Sequence, residues 1–149
     1  MKTFVRAALG AALIIAVPQT AVAQDNPWPF EAGEYVEVTG IKIEDGAGLK
    51  YAQWLAGEWR KNSDFAVEQG WLNSYEILIN EHPRAGEPTI YLVRRFPRFV
   101  SNEEGEERRK VMAERYARSE ETLQQESANR AEYRTVMDTV LMRKLEWDD

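Results

Sequence analysis

The chain is 149 residues long and acidic, with 25 Asp and Glu against 19 Lys and Arg and a formal net charge of -6. It contains no cysteine, which excludes disulfides, thiolate metal sites, cysteine nucleophiles and a cysteine-linked lipid anchor together. The negative balance disfavours nucleic acid and anionic lipid as partners, and no block of Lys and Arg overrides it.

Residues 1–23 open with Lys2 and Arg6, continue through an apolar run from Ala7 to Val17 and end on Ala21-Val22-Ala23. That is the layout of a secretory signal peptide: the run is too short to span a bilayer stably, and the small residues suit a peptidase cleft. Cleavage is expected between Ala23 and Gln24, which makes the mature protein periplasmic or secreted. Residues 24–149 suffice for one domain and not for two, and no later apolar run reaches the roughly 18 residues of a membrane span.

Residues 24–33 hold two prolines around Trp28 and lack any period, so they read as an extended arm leading into a domain over residues 34–149. Glu34 to Ile43 is rich in β-branched and aromatic residues and predicts the first strand, closed by Asp45-Gly46-Ala47-Gly48. Leu49 to Gln69 carries Tyr51, Leu55, Trp59 and Ala66 near one stripe and stops at Gly70. This predicts a helix that loosens near Asn62-Ser63-Asp64. Ser74 to Asn80 and Thr89 to Phe96 form a hairpin across a loop dense in turn formers. Ser101 followed by Glu104 is a capping box. It opens a long charged helix to about Arg134, with pairs such as Glu104/Arg108, Glu106/Lys110 and Glu114/Arg118 and a bend or break at Ser127-Ala128-Asn129. Thr139 to Trp147 closes the order as a strand.

The resulting β-α-β-β-α-β order is that of an α+β, ferredoxin-like fold, a four-stranded antiparallel sheet with both helices on one face. In this order and in its aromatic first helix, YAQWLAGEW, residues 34 to 147 resemble the dimeric α+β barrel superfamily, in which two such sheets close face to face. The resemblance is architectural. It implies a homodimer, and it extends to proteins as different as small monooxygenases, haem-degrading enzymes, isomerases and stress-response proteins, so it selects no reaction.

Strand alternation divides each strand into two sets. The more apolar set, Val36, Val38, Ile77, Ile79, Ile90, Leu92, Val140 and Met142, is expected under the helices. The other set contains the candidate ligand surface, Tyr35, Glu37, Glu76, Tyr91 and Arg95, where aromatic walls and a few charges suit a small molecule. Cross-strand ion pairing explains the same charges without a ligand. Glu76, and the single histidine His82 in the hairpin loop, are the candidate acid/base groups. No metal site is expected, since one histidine cannot build a multi-histidine site although His82 could serve as an axial haem ligand, and no cofactor is expected, since no phosphate loop, nucleophile elbow or zinc motif is present. Binding of a small apolar or aromatic molecule, or self-association through the open sheet face, is therefore expected ahead of catalysis. A cofactor-independent monooxygenase- or isomerase-like enzyme and a structural envelope-interaction protein are the alternatives.

Overall fold

The computed structural model describes residues 28–148. The expected signal peptide, its cleavage site and residues 24–27 of the expected arm lie outside the described residues. The rest of that arm is largely strand: β1 runs from Phe30 to Ile43, because Phe30 stands opposite Trp147 with ring centroids 4.5 Å apart. Then come α1 (Gly48–Trp54), a π-helical turn (Leu55–Trp59), α2 (Arg60–Glu68), β2 (Ser74–Ile79) and β3 (Ile90–Phe96). Helices α3 (Asn102–Tyr116) and α4 (Glu120–Ala131) lead into β4 (Arg134–Trp147), which starts five residues before the expected Thr139. The sheet is antiparallel with strand order β2-β3-β1-β4, an α+β arrangement compatible with the ferredoxin-like class. Among the described residues no helix is long and apolar enough to cross a membrane.

The first helix is interrupted earlier than expected. Instead of loosening at Asn62-Ser63-Asp64, it widens over Leu55–Trp59, and Ser63 is buried with its hydroxyl donating to the Trp59 carbonyl at 2.9 Å. The interruption has a packing consequence. Residues five apart on an α-helix differ by about 140° in direction, whereas a π turn closes i to i+5 and brings them near one line. Trp54 immediately precedes that turn and Trp59 ends it, and both line the space over the sheet beside Tyr51 and Leu55. Ile41, Tyr51, Leu55, Trp59 and Leu92 form the buried core, with Ile43, Trp54, Tyr75, Ile90 and Tyr133 packed against it.

The second helix breaks at Ala117–Ser119, ahead of the expected Ser127-Ala128-Asn129, which lies within α4. Ala117 takes the left-handed conformation (φ 47°), and Ser119 starts α4 by accepting from the Thr122 backbone N–H. Of the expected ion pairs, Glu104/Arg108 forms at 2.6 Å. Glu106 pairs with Arg109 and Lys110 with Glu107, each one residue closer than expected. Arg118 lies past the end of α3 and joins Glu58 and Glu126 at 3.4 and 3.0 Å.

The register corrects the assignment of faces. Ile90 and Leu92 do pack beneath the helices, opposite Ile41 and Thr39, whereas Ile77 and Ile79 share that face but stay exposed beyond the helices' cover. Val36 and Val38 stand opposite Arg95 and Val93, and Val140 and Met142 pair with them, so all four belong to the open face. Tyr35 and Glu37, expected on the open face, take the helix side instead, together with Thr39 and Arg143. The apolar set of β1 and β4 thus faces outward, and a polar stretch of β1 passes beneath the tryptophans.

Candidate functional site

Glu37 and Thr39 of β1, Leu92 and Arg94 of β3, Arg134 at the start of β4 and the Trp54/Trp59 pair surround a cleft of about 180 Å³ floored by Ile41. The sheet supplies its charges and the π turn its aromatic wall. Arg94 lies 5.8 Å above the Trp59 ring and 3.9 Å from Glu37, a loose ion pair. Arg134 sits over Trp54 and Tyr51 at 5.5 and 5.7 Å, and Arg130 of α4 over Trp54 at 4.7 Å. Such stacking strips water from a guanidinium without satisfying its N–H groups. The Nε atoms of Arg94, Arg130 and Arg134 are accordingly buried without a hydrogen-bond partner, and the buried Tyr51 hydroxyl has only the Arg134 guanidinium beside it. Burial and the adjacent Arg134 charge push the Arg130 pKa down, and burial pushes that of Tyr51 up. Among the described residues Glu37 is the only carboxylate lining the cleft, so an acidic protein carries a locally cationic, aromatic recess.

Two further cavities adjoin it. On the far side of Trp54 a basin of about 580 Å³ opens between α1 and α4, bordered by Lys50, Glu58, Glu126 and Arg130. Past Arg94, a cavity of about 400 Å³ lies between α2, the α3–α4 hairpin and the end of β3, walled by Ala66, Trp71, Leu72, Phe96, Met112 and Leu123.

The residues expected from sequence to form one ligand surface are split between two faces. Glu76, Tyr91 and Arg95 are on the open face, where Arg95 donates to Glu76 at 2.6 Å and lies 3.8 Å from Glu34. Glu37 lines the cleft, and Tyr35 is on the helix side, packed edge-on against Phe99 and covered by Arg143 at 4.7 Å. The alternation argument fails on β1 because it takes polar for outward, and here polar means cleft-lining. His82 is exposed on the β2–β3 loop, with its backbone N–H bonded to Asn80 Oδ1. Neither His82 nor Glu76 lines any of the three cavities. Arg94, Arg130 and Arg134 are absent from the expected site. The sequence signal for it is the Trp54/Trp59 spacing of five, which no α-helical stripe accommodates.

Among the described residues no cluster of three or more His, Asp or Glu side chains is arranged to hold a metal ion. Comparison with known protein families, with curated proteins and with solved structures finds no match to this chain.

Proposed function

We propose that this chain is an exported, ferredoxin-like domain of the dimeric α+β barrel kind that binds a small aromatic or apolar molecule bearing an anionic group in the Trp54/Trp59 cleft. One observation carries the reading: Arg94 and Arg134 each bring a buried Nε without a partner to a recess whose single carboxylate is Glu37. An anion there satisfies donors that the fold has already desolvated, while the indole faces cover a flat apolar body. Hydrogen bonds to a charged group contribute about 1.5–3 kcal/mol. Arg134→Leu is therefore expected to weaken binding of naphthoate by about tenfold or more, measured by calorimetry, and to leave that of the uncharged naphthyl alcohol unchanged. Equal naphthoate affinity in wild type and variant sinks the reading. Glu76, already ion-paired, and His82, on an exposed loop, give the acid/base alternative no geometric support.

A second reading concerns the open face. Leu78, Val140 and Met142 are 48, 46 and 46 % exposed there, around Val36 and Val38, and an apolar sheet face of this kind favours a second copy of the chain. Val140→Lys is expected to convert a dimer to a monomer in sedimentation without unfolding it. A wild-type chain that is monomeric at tens of micromolar breaks this reading and leaves the cleft untouched.

A further inference from the structure

Arg94 borders two of the cavities. One flank of its side chain faces the cationic cleft with Glu37 and Trp59, and the other faces the apolar space beneath the α3–α4 hairpin. We infer that the ligand is an amphiphile whose compact anionic head lies at Arg94 and Arg134 and whose unbranched apolar tail runs past Arg94 between α2 and the hairpin. The inference rests on the reading of the cleft as an anion site and adds the ligand's second half.

The tail cavity is built for such a group. Its walls are Ala66, Trp71, Leu72, Phe96, Met112 and Leu123, and its volume of about 400 Å³ lies within the roughly 300–1,000 Å³ of ligand pockets. Its cations are largely engaged already. Arg108 is bonded to Glu104 and lies over Trp71, and Arg109 is bonded to Glu106, so the buried N–H left without a partner is the Nε of Arg94 at the cleft end, whose guanidinium is only loosely paired with Glu37. Charge therefore sets the ligand's direction, with the head toward the cleft. The roof is suited to admitting a chain: α3 and α4 bury no residue of their own, while Ser101 and Ser119 cap them locally.

The test is a calorimetric series on the wild-type chain with butanoate, octanoate, dodecanoate, octylamine and naphthoate. Affinity is expected to rise by at least about tenfold from butanoate to octanoate, since each buried methylene contributes about a threefold to fourfold gain. Octylamine is expected to bind at least about tenfold more weakly than octanoate. In Ala66→Phe, which fills the tail cavity, dodecanoate affinity is expected to fall at least about tenfold while naphthoate stays within about twofold. Chain-length independence with intact naphthoate binding overturns the amphiphile and spares the cleft. Octylamine binding as tight as octanoate overturns the anionic head. Absence of binding by every carboxylate overturns both readings together. The wild-type series decides whether or not the Ala66 variant folds.

Discussion

The two helical halves of this molecule are stabilised by opposite means. The segment from α1 through the π turn to α2 has no side-chain cap at its start, yet it places Tyr51, Leu55, Trp59 and Ser63 in the interior. The α3–α4 hairpin buries nothing, but a serine caps each of its helices, and Glu104 joins Arg98 and Arg108 at its entrance. The first half is held by the core it helps to form and the second by its own ends. Helix stability in proteins comes mainly from packing of an apolar face, so the first half is coupled to the global fold and the second is free to behave locally. That division suits a binding domain in which a rigid aromatic wall stands under a roof with independent freedom.

The sharpest way to break this comparison is a truncation in the first half. Leu55 is 4 % exposed and packs in the core cluster at the start of the π turn. Leu55→Ala is expected to cost about 2–5 kcal/mol of global stability by denaturant unfolding, from lost transfer energy and the cavity left behind. A loss under 1 kcal/mol means that the wall is as loosely held as the roof and that the two halves do not differ.

Most of the element order is legible in the chain because it depends on local signals. The Ser101 capping box, Gly70 at φ 68° and the turn formers between β2 and β3 act over a few residues, and each marks a boundary that the structure observes. Face assignment is less legible because register is a property of pairs of strands. Val38 faces away from the helices because it stands opposite Val93 and Val140, and nothing within EYVEVTG states this. Gly40 marks the same limit. A β-carbon there would lie 2.6 Å from Pro88 Cγ and would collide with Asp138, contacts made by residues far away in sequence. The cleft stayed hidden for a related reason. Arg94, Arg130 and Arg134 read as solvated charges until Trp54 and Trp59 are brought into line over them.

An effect of intermediate size tests the rigidity of the wall from the opposite direction. The Tyr51 hydroxyl is buried with only the Arg134 guanidinium to offset its desolvation, and an under-satisfied buried polar group costs about 1–3 kcal/mol. Tyr51→Phe is expected to stabilise the protein by about 1 kcal/mol. Burial raises the folded-state pKa of Tyr51 above its ordinary value of 10.0, so its contribution is fully present below pH 10 and is lost as pH rises from there through the raised value. The variant is expected to show a shallower alkaline decline in unfolding free energy as pH rises above 10. A variant that is less stable at neutral pH and declines just as steeply shows that the hydroxyl is satisfied.

The smallest effect belongs to the roof. Ser101 Oγ accepts the Glu104 N–H at 3.2 Å, and loss of an N-cap of this kind costs about 0.5–2 kcal/mol of helix stability. In Ser101→Ala that cost is expected to be local: amide exchange speeds up in the first turns of α3, while amides facing Tyr51 and Leu55 keep their protection. Acid should act on the same point. Hydrogen bonds from Arg98 and Arg108 hold the Glu104 carboxyl below its ordinary value of 4.5. Its support for the hairpin is therefore present above pH 4.5 and is lost as pH falls through the lowered value. The Ser101 variant below pH 4.5 is expected to fray at α3 before the core opens. Simultaneous loss of protection in both halves makes them one cooperative unit, and the roof then cannot open apart from the wall.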